Sequence, residues 1–120
     1  MTPPDDAGTA RAPSPSTWAS PAELDQALAA KPTCWIFKHS TRCSISGEAA
    51  REVEALATRL PVYRILVVEN RPTSLCIAER LGIEHASPQA ILLREGRPVW
   101  SATHWAITRE AMEAAEADSS

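Results

Sequence analysis

The chain has 120 residues with 12 basic and 15 acidic side chains, for a formal charge of -3, which suits one small domain and excludes two complete ones. Its positive residues are dispersed apart from Lys38, His39 and Arg42, so it lacks the basic face a phosphate backbone requires, and no nucleic-acid partner is expected. No apolar run approaches the roughly 18 residues needed to cross a bilayer, and the N-terminus carries acids and prolines where a secretory signal has a basic start and an apolar stretch, so neither membrane nor export is expected.

Five of the ten prolines fall within the first 21 residues, mixed with Ser, Thr, Ala and Asp. Such a stretch offers too little apolar surface to offset the entropy of ordering it. Residues 1–20 read as a flexible leader, residues 21–116 as the folding unit and residues 117–120 as a polar tail. Ser20 before Pro21 and Glu23 is a helix start, with Leu24, Ala27 and Leu28 at helical spacing. Pro32 ends this helix. Residues 33–37 form a compact apolar, β-prone run, a buried strand, and residues 38–42 a polar segment. Ile45, Ala49, Val53, Leu56 and Leu60 then recur every three or four residues, the mark of a helix packed on one face.

Pro61 resets the chain into residues 62–68, a second strand expected to be buried on both faces at its centre, in a parallel or mixed sheet. Asn70 caps the next helix, with Pro72 in its first turn, Leu75, Ile77, Ala78 and Leu81 inside, and Gly82 at its end. Residues 89–94 form a third strand, Glu95 and Gly96 reverse the chain, and residues 98–101 form a fourth, with Pro98 marking an edge. A last helix over residues 105–116, capped by Thr103 or His104, completes the order α-β-α-β-α-β-β-α. This string predicts an α/β fold in which helices cover a small mixed sheet of about four strands, with one parallel pair followed by a hairpin.

The cysteine count is odd, with Cys34, Cys43 and Cys76, so at least one thiol is free, which suits a reducing cytosol. Cys43 is the candidate nucleophile, because it lies where a buried strand gives way to an amphipathic helix. With Thr41 as the cap, its sulfur falls in the first helical turn, where unpaired N–H groups and the positive helix end stabilise a thiolate. Lys38, His39 and Arg42 add positive potential nearby. The local string Cys43, Ser44, Ile45, Ser46 puts a serine where a dithiol redox site has its resolving thiol, and Ser46 has no sulfur to exchange. Cys34 reads as a core residue and Cys76 as buried or partly buried in a helix. A zinc site built from the cysteines with His39, His85 or His104 is not expected. Trp35 and Phe37 read as core, whereas Trp100 and Trp105 read either as a packing cluster or as an exposed aromatic patch. His104 lacks the partners of a catalytic triad, and Glu48, Arg51 and Glu52 read as a solvated helix face.

The order of elements, the cysteine at the first strand-to-helix junction and Ser87-Pro88 before the third strand resemble the thioredoxin fold. The stretch from Phe37, Lys38, His39 and Ser40 through Thr41, Arg42, Cys43, Ser44, Ile45 and Ser46 is similar to the active-site segment of the bacterial YtxJ family, the monothiol bacilliredoxins. That family's pattern reads Lys-His-Ser and then Cys-Pro-Ile-Ser. The stretch His85, Ala86, Ser87, Pro88, Gln89 similarly resembles its Glu-Ser-Pro-Gln neighbourhood. The resemblance spans about residues 22–116, and two positions depart from it: Ser44 stands in place of a proline and Ala86 in place of an acid.

The resemblance implies that Cys43 is the nucleophile, that Ser46 replaces a resolving cysteine, and that Pro88 is a cis-proline beside which the backbone of Ser87 pairs with an extended thiol-bearing chain. It implies a cytoplasmic enzyme acting on proteins whose cysteines are capped by bacillithiol, with bacillithiol as co-substrate and no bound metal or organic cofactor. Three readings stand side by side: a monothiol oxidoreductase, an inert thioredoxin-like adaptor, and exchange between Cys43 and Cys76, which needs Cα atoms within about 7 Å.

Overall fold

The computed structural model describes residue 18, residues 20–40 and residues 44–118, with the side chains of 44–46 outside the description. Its elements run α1 (Pro21–Ala29), β1 (Cys34–His39), α2 (Ser44–Glu54), β2 (Val62–Leu66), α3 (Arg71–Leu81), β3 (Gln89–Arg94), β4 (Arg97–Thr103), a 3-10 turn (His104–Ala106) and α4 (Arg109–Asp118). The strands lie in the order β2-β1-β3-β4. β1 is parallel to β2 and antiparallel to β3, and β3 and β4 form an antiparallel hairpin.

β1 sits inside the sheet, so its alternating side chains feed two cores. Trp35 and Phe37 join Ala90 and Leu92 of β3 under Ala49 and Val53 of α2 and Met112 and Ala115 of α4. Cys34 and Ile36 join Ile65, Ile91 and Leu93 under Leu24 of α1 and Ile77 of α3. α1 starts as the sequence dictates: Ser20 Oγ accepts from the Glu23 amide at 3.2 Å and proline occupies the first turn. α3 ends on Gly82 at φ 68°, a left-handed position that a Cβ would strain. The hairpin turn places Glu95 at φ 54° and Gly96 at φ 81°, the mirror-image turn whose twist matches its strands.

Several boundaries differ from the sequence reading. Trp18 lies within the expected leader, yet it is only 5% exposed and stacks on Tyr63 with ring centroids 4.4 Å apart, so the folded unit begins before residue 21. β2 stops at Leu66, because the Val67 amide donates to His39 O and the Asn70 amide to Leu66 O, bending the chain into a turn. Among the described strands β2 also lies at the edge, and only Ile65 in it is fully buried. Asn70 caps α3 without a side-chain hydrogen bond, and Leu75 faces solvent. β4 extends to residues 97–103 with an irregularity opposite Leu92 and Leu93.

The last helix starts later than residue 105. Ile107 is buried between the 3-10 turn and the helix, and Thr108 takes over as cap, its Oγ1 accepting from the Ala111 amide at 3.1 Å. Glu52 of α2 reaches across to accept from the Arg109 amide at 2.7 Å, placing a carboxylate at a helix N-terminus. α4 runs through Asp118, so residues 117 and 118 of the expected tail are helical.

Candidate functional site

The carboxyl end of β1 is where the candidate residues gather. Thr41, Arg42 and Cys43 lie outside the described residues, as do the side chains of Ser44 and Ser46, whose backbone opens α2. Residues 40–43 therefore connect the last residue of β1 to the first of α2.

Lys38 is not in a polar segment. It continues the strand, fully buried, between its cross-strand partners Ile65 and Gln89. The alternation that carries Cys34 and Ile36 toward α1 and α3 carries Lys38 the same way. Its Nζ donates to Ser74 O in the first turn of α3 at 3.1 Å. Among the described residues no carboxylate meets this ammonium in an ion pair, and desolvation pulls its pKa down from 10.5 to about 8. Ser74 Oγ lies 3.5 Å from His85 Nδ1. Burial first, then the charges of Lys38 and Arg71, lower the His85 pKa. Gln89 Nε2 donates to Glu84 O at 3.0 Å, while its buried Oε1 and the buried Thr73 Oγ1 have no protein partner. This buried polar cluster under β1 escaped the sequence reading, although the period of two running through residues 34–38 carried the signal.

His39, the last residue of β1, points to the opposite face. Its ring stacks on Phe37, with centroids 4.6 Å apart and planes 4° apart. Burial, and next the Arg64 guanidinium, lower its pKa, opposed by Glu69 and Glu54. Its expected contribution of positive charge is thus reduced, because the imidazole is biased toward its neutral form.

The Ser87-Pro88 bond is cis. Pro88 immediately precedes Gln89, the partner of Lys38, which sets it beside the end of β1. Pro88 O accepts from the His104 amide at 3.1 Å, tying the 3-10 turn to this loop, and Ser87 Oγ is buried without a protein partner. Trp105, on that turn, is 67% exposed, whereas Trp100 meets Trp35 edge-on with centroids 5.7 Å apart. The two tryptophans thus divide between the two expected roles.

The distance between Cys43 and Cys76 lies outside the described residues. Cys34 is buried, and desolvation pushes its pKa up to about 12. Cys76 packs half-buried in the layer of α1 and α3, across the sheet from the core that α2 covers. Glu48 and Arg51 form an exposed ion pair, a solvated face as expected. Among the described residues, no three His, Cys, Asp or Glu side chains gather to hold a metal ion, and no helix is long and apolar enough to cross a membrane.

Comparison with known proteins agrees with this architecture. The sequence matches the family described as monothiol bacilliredoxin BrxC over residues 17–112. A solved structure described as a putative oxidoreductase with a thioredoxin fold is similar at TM-score 0.76 and 26% identity, covering 84% of this chain and 92% of that one. A mutant thioredoxin from Halobacterium salinarum NRC-1 is similar at TM-score 0.65 and 22% identity, covering 89% and 91% of the two chains. Fasciola hepatica thioredoxin follows at TM-score 0.63 and 17% identity, covering 86% and 97%. With a four-stranded mixed sheet covered on both faces and a cysteine segment between its first strand and the following helix, the chain belongs to the monothiol bacilliredoxin family, thiol-disulfide oxidoreductases on a thioredoxin fold.

Proposed function

We propose that this oxidoreductase removes a small thiol of the bacillithiol class from mixed disulfides on protein cysteines, with Cys43 as its nucleophile. The observation that carries the reading is the place of the Cys-x-x-Ser string in the sequence, its cysteine between the end of β1 and the first residue of α2, in a chain whose Ser87-Pro88 bond is cis. The Cys43 thiolate attacks the small-thiol sulfur of the substrate disulfide. A sulfur-sulfur bond forms between Cys43 and the small thiol, and the protein sulfur leaves with the electron pair of the broken bond and takes up a proton. The thiolate of a second small-thiol molecule then attacks the capped Cys43, freeing its sulfur and producing the small-thiol disulfide. Overall the sulfur of the second small thiol is oxidised and the protein sulfur is reduced, the first small-thiol sulfur stays at the disulfide level throughout, and Ser46 takes no part in the electron count. Ser87 and Pro88 border the approach for the substrate chain, and the substrates act in a reducing cytosol.

The test is release of bacillithiol from a modified protein, followed by intact mass, with wild type, Cys43→Ser and Cys76→Ser compared and a glutathione-capped substrate run in parallel. Release that requires Cys43, tolerates loss of Cys76 and favours bacillithiol is the expected result. Faster release of glutathione overturns the small-thiol assignment. Slow, nonselective modification of Cys43 without turnover overturns the enzymatic reading in favour of an adaptor.

A further inference from the structure

A closed circuit of contacts surrounds the buried end of Lys38. Its Nζ donates to Ser74 O, and Ser74 Oγ lies 3.5 Å from His85 Nδ1. The backbone oxygen of Glu84, the residue before His85, accepts from Gln89 Nε2 at 3.0 Å, and Gln89 is the cross-strand partner of Lys38. Lys38 and Gln89 project to the same face, since the parity that places Ile36 and Ile91 in the layer of α1 and α3 applies to both. Thr73, next to Ser74 in the first turn of α3, is buried with them.

The hydrogen bonding of these groups is incomplete. Lys38 is 0% exposed, and among the described residues Ser74 O is the acceptor for one of its three N–H groups. Gln89 is 2% exposed, and its Oε1 has no protein partner; Thr73, 0% exposed, likewise leaves Oγ1 unpaired. Buried polar atoms are ordinarily satisfied by protein or by internal water. Three such groups, shielded from solvent on neighbouring residues, point to a common partner.

We propose that Lys38, Gln89 and Thr73 form a binding site for one internal water molecule. The chemistry of the three groups selects water over an ion. The Gln89 amide is oriented by its bond to Glu84 O, so the atom left over is an acceptor, which repels an anion, while the ammonium of Lys38 repels a metal cation. The occupant has to accept from one neighbour and donate to another. Water accepts from Lys38 Nζ, donates to Gln89 Oε1 and makes its third bond with the Thr73 hydroxyl, a donor and an acceptor alike. It supplies no counter-charge, so burial still disfavours the ammonium. The water joins the end of β1, the first turn of α3 and the residue that follows cis Pro88 at the start of β3. The site uses no residue between β1 and α2, so it stands or falls apart from the proposed function.

Crystals of the full wild-type chain test it, with one crystal soaked in bromide. The expected result is a density peak without anomalous signal within about 3.2 Å of Lys38 Nζ, Gln89 Oε1 and Thr73 Oγ1. An anomalous bromide peak there makes the ligand an anion and overturns the assignment to water. Direct bonds from Lys38 Nζ to Gln89 Oε1 or Thr73 Oγ1, with no peak between them, remove the need for a ligand and overturn the site itself. In solution, relaxation dispersion of the water oxygen counts waters held longer than the protein takes to tumble. Lys38→Met removes the ammonium donor and Gln89→Leu the amide acceptor, and each should hold one such water fewer than wild type. An unchanged count in a folded variant of either kind overturns the proposal.

Discussion

Replacing Lys38 by methionine should stabilise the fold. In the unfolded chain the amine keeps its proton up to 10.5, and in the folded chain only up to about 8. Both states are protonated below pH 8, so the folded state bears the full cost of a buried ammonium there. Between 8 and 10.5 the unfolded chain binds more protons, so stability rises with pH, and above 10.5 the cost is gone. At about 1.36 kcal/mol per pH unit, that interval corresponds to about 3 kcal/mol at pH 7. Methionine fills a similar volume without charge but gives up the hydrogen bond to Ser74 O, worth about 1 kcal/mol. The net expectation is a gain of about 2 kcal/mol, in line with other buried charges replaced by apolar residues. That gain raises the melting temperature by about 8 °C at about 4 °C per kcal/mol. Urea denaturation of both proteins from pH 7 to 10.5 measures it. Cys34 also ionises late in the folded chain, which lowers stability above pH 9 in both proteins and cancels in the difference. A variant less stable than wild type at pH 7, or a difference that fails to shrink as pH rises from 8 to 10.5, refutes the reasoning.

The Cys34 thiol, held near 12 by burial, should remain unalkylated at pH 8 in the folded protein and react at the ordinary rate in urea; peptide mass analysis decides, and prompt labelling under native conditions contradicts its placement in the core. The two left-handed glycines should separate on substitution. Gly82→Ala, at φ 68° with open space for a Cβ, costs about 1 kcal/mol. Gly96→Ala, where a Cβ comes within 3.1 Å of Lys31 Cα, costs at least about 1 kcal/mol more, so equal urea midpoints argue against the tight approach. Trp35→Phe removes the indole donor to Glu116 Oε1 at 2.8 Å and the edge contact with Trp100, with an expected loss of about 2–4 kcal/mol in the same assay. A loss below about 0.5 kcal/mol, the range of an ordinary surface substitution, dismisses that anchoring role.

The order of elements was legible because each helix carries its own period and each break its own proline or glycine. Gln89–Arg94 appears with the bounds its apolar run predicts, and Gly82 closes α3 as its position implies. What the sequence conceals is pairing. Residues 62–68 look like an interior strand on hydrophobicity alone, but among the described strands β2 has a neighbour on one side only, and backbone hydrogen bonds bend the chain after Leu66. Trp18 sits among polar and proline residues, and its burial depends on Tyr63, 45 positions later in the sequence. At the site, the Cys-x-x-Ser string was visible as a motif, whereas the opposite orientations of Lys38 and His39 required the alternation to be followed to the end of β1. Taking both residues as positive potential near Cys43 merged groups that the sheet places on opposite faces.

β1 behaves like a reading frame. Substitutions within it change one core at a time, because odd and even positions serve different layers. Deleting Ile36 reverses the phase of one part of the strand relative to the other. Either Trp35 turns toward the layer built for Cys34, or Phe37 and the lysine and histidine at the far end exchange faces. Within this lineage β1 should therefore drift in composition while its length stays constant, with insertions and deletions accumulating in the loops that connect the helices.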